Sequence, residues 1–527
     1  MGGGEKGLSP AAEGGVGGGG RAGGGVEAGG AEGGIVVGER HPLGVEPGGN
    51  ALDGAGPGVR AAGLGCLAAL SDERLLQIFG ALEPRELGRL ACVSRAFCVM
   101  CNFEDIWRAH VVSDFRGKFS FQPAGWKRTY LEAKFPGRFP PALSPLSSPT
   151  SAILRRDAPF YSDLLYQPHF CARLDFPREW LEVENVERVA GPGLTHRCFE
   201  ERFDKPNRPC ILTGVVARWP ACVKWDRAYL ELAFAGETVH AGGYEFEPRD
   251  YFDYSEKNQD EQPLYLFDKE FARKAPGLLE DFSPPECFGE DLFAVLGEEE
   301  RPDYRWLIAG PTRSGSFFHK DPNATSAWNA VISGSKKWVL FPPGTAPPGV
   351  HASADGADVA TSVSLSEWFL NFYAEASEAE EPPLECIVRA GEAIFVPSGW
   401  WHLVMNLEDS IAVTQNFCSR GNLRKVERTL RSPHLVSGCP EEARLSLHAR
   451  FLAALRRARP EIAAIFAPAA SSAPAAPPLS ALFASAGRST GGFTFGFAAP
   501  AGAPEQPGGE GEQEDPPAPP KKPRNDD

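Results

Sequence analysis

A mainly β fold is what this 527-residue sequence predicts: a jelly-roll or sandwich barrel with flanking helices, behind a small helical module and between disordered tails. Three observations carry that expectation. Short apolar runs broken by Gly and Pro crowd the stretch from Lys336 to Phe417, namely KKWVLFPP, CIVRAGEAIFVP, HLVMNL and IAVTQNF, and closely spaced strands with regular turns indicate a barrel or sandwich. A separate stretch after Cys66 carries helical spacing instead. The 58 Gly and 48 Pro are unevenly spread and gather at the two ends, so the ordered part is shorter than the chain.

In chain order, residues 1–62 hold long Gly runs and almost no aromatic residues. They cannot bury enough surface to offset chain entropy and are predicted to be a disordered tail. The block 66–112 follows. Leu75, Leu76, Ile78, Phe79 and Leu82 make an apolar helical face, with Ser71 as its N-cap and Arg74 at the capping-box position. Pro84 restarts a second helix carrying Leu87, Leu90 and Val93, and Trp107 closes the block. Cys98 and Cys101 have zinc-like spacing, but no second pair stands at a suitable distance, which argues against a structural zinc site.

Residues 113–175 read as a linker or brace, with Pro-rich FPGRFPPALSPLSSPTS at 135–151 in an extended form. The second block, 176–435, carries the strands, with a tight turn at Ala390-Gly391. In 436–466, Leu445, His448, Leu452 and Leu455 give helical spacing until Pro460 breaks it. Residues 467–527 form a second predicted disordered tail, rich in Ala, Pro, Gly and acidic residues. It includes the aromatic island GGFTFGF at 491–497, a candidate docking segment, and KKPR at 521–524, a candidate nuclear import signal.

Charge narrows the function classes. The 53 basic and 69 acidic residues give a net charge of −16. Phosphate binding calls for the opposite sign, so direct nucleic-acid binding is disfavoured, whereas a basic peptide tail would be attracted. The run EASEAEEPPLE at 375–385 is one such acidic patch. Twelve scattered Cys without a small-scaffold framework point to a reducing compartment. MGGGEKGLSPAAEGG has no apolar core of a leader, and no run approaches a membrane span. A soluble, intracellular protein without a membrane partner is the expectation.

The chemistry gathers in SGSFFHKDPNATSAWNAVISGSKKWVLFPPG, residues 314–344. His319 and Asp321 alternate along one strand and so face the same way. Two His and one carboxylate on one face of a metal leave positions open for co-substrate and oxygen, the pattern of non-haem Fe(II) oxygenases. The third ligand must come from a distant strand. His402 of VPSGWWHLVMNL, 402 − 319 = 83 residues later, is the candidate. Such oxygenases use a dicarboxylate co-substrate, whose far carboxylate needs a buried cation. Lys336 opens an apolar strand and fits that role, while Lys337 alternates to the other face and is assigned to solvent. Asn323-Ala-Thr325 matches a glycosylation sequon, read as coincidental beside a metal ligand.

Two resemblances follow from these residues. The block 66–112 resembles an F-box, through its leucine pair, the Pro-x-x-Leu second helix, Val93-Ser94 and the late Trp107. The family's usual Pro after the first Leu is replaced by Ser71, so the block is F-box-like. The resemblance implies docking on a Skp adaptor of cullin ubiquitin ligases.

GPTRSGSFFHKDPNATSAWNAVISGSKKWVLFPP and FVPSGWWHLVMNLEDSIAVTQNF closely resemble the Jumonji-C oxygenases, and within them the arginine demethylase and lysyl hydroxylase clade once called the phosphatidylserine receptor. An F-box-like block ahead of such a domain is the arrangement of plant F-box Jumonji proteins. The resemblance extends over FDKPNRPCILTGVVARWPACVKW, PLYLFD and RPDYRWLIAGP.

It implies a double-stranded β-helix of the cupin type, with His319, Asp321 and His402 as Fe(II) ligands. It also implies Lys336 on the distal carboxylate of 2-oxoglutarate, and Tyr265, Asn329, Thr414 and Ser316 lining the same pocket, Ser316 standing where the clade often has Thr. Asn416 would support the ligands from behind. The implied reaction uses Fe(II), 2-oxoglutarate and molecular oxygen on arginine or lysine side chains of histones or other basic nuclear proteins. Histone arginine demethylation in the nucleus leads. Lysyl hydroxylation is the alternative within the clade. A ubiquitin-ligase substrate receptor using the barrel only to bind is the alternative from another class.

Overall fold

The computed structural model describes residues 40–51, 59–139 and 159–466. Eight strands form the central barrel: β1 (Arg305–Gly310), β2 (Gly315–His319), β3 (Ser326–Ser333), β4 (Ser335–Phe341), β5 (Leu384–Arg389), β6 (Ala393–Val396), β7 (Trp401–Asn406) and β8 (Ser410–Phe417). The smaller sheet has the order β5-β4-β7-β2. The larger contains β6-β3-β8-β1, extended beyond β6 by Cys210–Thr213 and Arg188–Ala190, and beyond β1 by Leu266–Asp268, Val239–Ala241 and Tyr244–Phe246.

Successive strands therefore mostly change sheet. The Ala390-Gly391 turn is one such crossing. It joins β5 in one sheet to β6 in the other instead of closing a hairpin, and Gly391 takes φ +86° to make the bend. This is the double-stranded β-helix that the resemblance implies, and the jelly-roll barrel that the strand spacing predicts.

Strand alternation sorts the side chains. On β4, Trp338 and Leu340 join an inner cluster with Ala327, Val331, Ile394 and Val404 from both sheets. Val339 and Phe341 point outward against helix Leu365–Ser377, where they meet Trp368, Phe369 and Leu403. Each fully buried aromatic or aliphatic side chain of this kind contributes about 1.5–3 kcal/mol. Helices Leu423–Leu430 and Glu441–Ala458 close the C-terminal end over Leu292 and Phe293.

The N-terminal block folds as helices Asp72–Gly80, Pro84–Leu90, Arg95–Cys101 and Glu104–Phe115. Leu75, Phe79, Leu87 and Trp107 are buried, whereas Val93 lies past its helix and is 65% exposed. Ser71 occupies the N-cap position without a side-chain capping bond; the capping box belongs to the next helix, between Glu83 and Glu86. Cys98 and Cys101 are free thiols. The helical core is continuous with the outer face of the larger sheet. Phe119 and Phe121 meet Phe246 and Tyr254, and Trp126 Nε1 donates to Asp260 at 2.8 Å. At Gly117 (φ +80°) a Cβ would lie 1.6 Å from the Glu245 carbonyl, so only glycine allows this approach.

Three expectations change. Residues 40–51, placed in the disordered tail 1–62, carry strand Val45–Glu46, which pairs in parallel with Phe160–Tyr161 and buries Val45. A short apolar pair can be ordered by a partner far along the chain, which local composition does not reveal. The brace 113–175 holds helices Trp126–Lys134 and Asp163–Ala172, while most of its Pro-rich stretch lies outside the described residues. In Glu441–Ala458 the buried stripe is Leu447, Phe451, Ala454 and Leu455, a regular i, i+4, i+7, i+8 face, and Leu445 is 76% exposed. The tail 467–527, with GGFTFGF and KKPR, lies outside the described residues. Among those described, no helix is long and apolar enough to cross a membrane.

Candidate active site

β2 ends at His319, and β7 begins at Trp401. The two strands are antiparallel neighbours with His319 directly opposite His402, so their rings stand 4.1 Å apart. Asp321 does not reach the site by strand alternation alone. It lies just past the end of β2, before the turn Pro322–Ala324, where Asn323 and Ala324 take φ +57° and +55°. Non-glycine residues in that region cost energy and persist only where neighbours hold them. Here Asn323 exchanges hydrogen bonds with the backbone of Ser437, both 3.1 Å, and Ser398 Oγ donates to the Ala324 carbonyl at 2.7 Å. The buried Asn323 thus has a structural use that also removes it from any glycosylation enzyme.

One ligand atom from each of His319, Asp321 and His402 lies within 4.8 Å of the others, the only such cluster of three or more among the described residues. Nδ1 of His319 faces the Phe317 carbonyl at 2.7 Å, and Nδ1 of His402 faces the Trp400 carbonyl at 3.2 Å. Those contacts assign the proton to Nδ1 and leave Nε2 of each ring as the atom that could ligate a metal. Trp338 stacks on His402 at 5.8 Å.

Burial pulls both imidazoles down to about 4, the His402 ring adding to the effect on His319, and pushes the Asp321 carboxyl up to about 6. Asn416 Nδ2 donates to Asp321 Oδ1 at 3.2 Å and to Thr325 Oγ1 at 2.9 Å, which fixes the carboxylate. Asp321 Oδ2 is buried without a hydrogen-bond partner. Two neutral imidazoles and an unsatisfied carboxylate oxygen converge on one point, and a divalent cation there satisfies all three.

The proposed co-substrate residues divide. Lys336 is fully buried on the inner face and donates to Tyr265 Oη at 3.0 Å and Asn406 Oδ1 at 2.6 Å. Burial alone lowers its pKa to about 7. Asn329 and Thr414 are cross-strand partners on β3 and β8. Asn329 Oδ1 is buried without a partner, while Thr414 Oγ1 donates to the Trp328 carbonyl at 3.0 Å. Ser316 is half-buried on β2, opposite Val404. Asn406 and Trp338 escaped the sequence reading, although period-two alternation from His402 and Lys336 would have placed both on the inner face.

Lys337 corrects an expectation. It is fully buried, not a solvent residue, and its Nζ pairs with Glu385 Oε2 at 2.7 Å and donates to the Val183 carbonyl at 3.1 Å. Both faces of β4 are covered, so alternation moves a side chain to the other face but not into water. Glu385 thereby leaves the acidic run 375–385, whose Glu375, Glu378, Glu380 and Glu381 stay exposed.

Comparison with known proteins agrees with this geometry. The cupin-like domain family matches residues 244–422 and the F-box-like family residues 72–113. The arginine-specific demethylase JMJ22 of Arabidopsis thaliana is 47% identical over 421 residues, 79% of this chain and 81% of the relative. The bifunctional arginine demethylase and lysyl-hydroxylase psr-1 of Caenorhabditis elegans is 38% identical over 296 residues, 53% of this chain and 70% of the relative. The 2-oxoglutarate and iron-dependent oxygenase JMJD4 of Homo sapiens is 30% identical over 286 residues, 49% of this chain and 67% of the relative.

Proposed function

The chain belongs to the Jumonji-C family of 2-oxoglutarate- and iron-dependent oxygenases, and from that premise we propose that it removes N-methyl groups from arginine side chains of histones or similar basic proteins. The observation that carries the reading is the partnerless Asp321 Oδ2 between two neutral imidazoles, a donor set made for a divalent cation.

Bound Fe(II) with 2-oxoglutarate and oxygen supplies oxidative decarboxylation to succinate and carbon dioxide, coupled to hydroxylation of an unactivated C–H bond. The chain's residues do the rest. His319, Asp321 and His402 would hold the metal from one side, and Asn416 keeps the carboxylate in register. Lys336, with Tyr265 beside it, would take the far carboxylate of the co-substrate, and Asn329 and Thr414 line the larger sheet opposite. His319 and Asp321 are half-buried as residues, while His402 is buried. Hydroxylation of the methyl carbon yields an N-hydroxymethyl group, which releases formaldehyde and leaves the N–H.

Lysyl hydroxylation is the second reading, supported by the relative named for both activities. The F-box-like helices support docking to a Skp adaptor, and the exposed glutamates of 375–381 support attraction of a basic tail. KKPR supports residence in the nucleus. The test is incubation of the purified protein with Fe(II), 2-oxoglutarate and methylated histone peptides, followed by mass spectrometry. Loss of one CH2 per event marks demethylation and gain of one oxygen marks hydroxylation. Equal turnover by His319→Ala would refute the metal assignment. Adaptor pull-down with and without residues 66–112 checks the docking.

A further inference from the structure

Two neutral oxygens hold the Lys336 ammonium, Tyr265 Oη and Asn406 Oδ1. Asn406 stands directly across from Lys336 in the β4–β7 register and is 1% exposed. Its amide has only one possible orientation. Nδ2 donates to the Gly310 carbonyl at 3.2 Å, the Pro311 carbonyl at 3.4 Å and Ser314 Oγ at 2.9 Å. Carbonyls only accept, and the Ser314 hydroxyl spends its proton on the Pro311 carbonyl at 2.6 Å. Oδ1 must therefore face the lysine.

The backbone is fixed as well, since Asn406 N donates to the Ser314 carbonyl and Arg313 N to the Asn406 carbonyl, both at 2.8 Å. Packing admits no slack. A Cβ on Gly310 would lie 2.3 Å from Ser314 Oγ and 2.5 Å from the Tyr265 ring. No carboxylate bonds to Lys336 among the described residues, and Tyr265 is the one titratable partner, its own hydroxyl driven upward by burial.

We propose that Asn406 is a positioning residue for co-substrate binding: its neutral carbonyl aims Lys336 without neutralising it, so the second carboxylate of a dicarboxylate 2-oxo acid completes the ion pair. The inference rests on Lys336 being the co-substrate anchor, as proposed above. An aspartate has nearly the same shape but would form that pair within the resting protein and compete with the ligand. Selection of a dicarboxylate over a monocarboxylate thus depends on a neutral acceptor at this position that the ligand does not need to touch.

Mn(II) in place of iron prevents turnover. Calorimetry on the whole protein then reads binding of 2-oxoglutarate and of 2-oxovalerate, which carries a methyl where the second carboxylate stands. Wild type should prefer 2-oxoglutarate by about 100-fold or more, the order of one buried charge pair. Asn406→Asp should bring that preference below about fivefold, with Mn(II) affinity within about threefold of wild type. Asn406→Ser, which keeps a neutral oxygen acceptor, should retain most of the preference.

Wild-type preference in Asn406→Asp, or an equal loss in Asn406→Ser, would overturn the proposal. If Asn406→Asp does not fold, Asn406→Ser decides alone: a preference kept at about 20-fold or more supports the proposal, and a collapse below about fivefold overturns it. A wild type that shows no preference at all refutes the anchor reading itself, a separate outcome from failure of the asparagine's role.

Discussion

Lys336 and Lys337 are adjacent, equally buried and chemically identical, yet they point to opposite faces of β4. On the outer face of β4, Lys337 meets Glu385, whose carboxylate also accepts from Tyr373 at 3.2 Å. That lysine is complete: its charge has a partner in the protein. On the inner face, Lys336 has two neutral acceptors and, among the described residues, no countercharge. A buried cation of that kind is costly unless something brings the missing anion. The contrast separates a lysine whose charge the protein pairs from the one proposed as the co-substrate anchor. Asp321 is a parallel case, since its Oδ2 is buried without a hydrogen-bond partner.

The comparison can be broken at several points. The largest effect belongs to the inner face: His319→Ala should lose turnover by about 1,000-fold or more, with iron affinity falling in parallel in a metal-binding titration. Next comes the outer face. Lys337→Met leaves Glu385 buried and uncompensated, and denaturant unfolding should record a loss of about 3–5 kcal/mol with co-substrate affinity unchanged in what remains folded.

Lys336→Met should reverse that pattern. Its unfolding midpoint should hold or rise, and the KM for 2-oxoglutarate should climb by about 100-fold, equivalent to about 2.7 kcal/mol. A smaller effect is expected from pH. The free Lys336 amine is held near pKa 7, so above that pH the resting site is neutral, and a bound dicarboxylate must draw in a proton. Affinity for 2-oxoglutarate should therefore be flat below about pH 7 and fall by up to about tenfold per pH unit above it, as calorimetry can read. The smallest change is the most diagnostic for the outer pair. Lys337→Met combined with Glu385→Gln removes both charges, keeps an acceptor for Tyr373, and should recover stability to within about 1 kcal/mol of wild type.

Spacing made part of the site legible. Residues that alternate along a strand share a face, so Lys336 and Lys337 could be sent to opposite faces from the sequence, and His402 could be named as the candidate third ligand. The chemistry of two His and one carboxylate named the metal class. Asn416 was expected behind the ligands and is found bonded to Asp321. What alternation could not say is how each face is covered. Lys337 was assigned to water because the sequence does not show helix Leu365–Ser377 lying on that side of the sheet. Asp321 was assigned to a strand because the positive-φ turn after it is held by Ser437 and Ser398, residues far along the chain.

The sequence by itself determined the local terms: which segments are strands, which faces are apolar, which residue types can bind a cation or a carboxylate, and the family resemblance that follows from them. Only the tertiary structure decided the pairings. It set His319 opposite His402, gave Glu385 to one lysine and Asn406 to the other, and tied Val45 into a strand with Phe160. The physical reason is range. Propensity and periodicity act over a few residues, whereas the charge state and satisfaction of a buried group depend on whatever atoms the fold brings within about 3–4 Å of it.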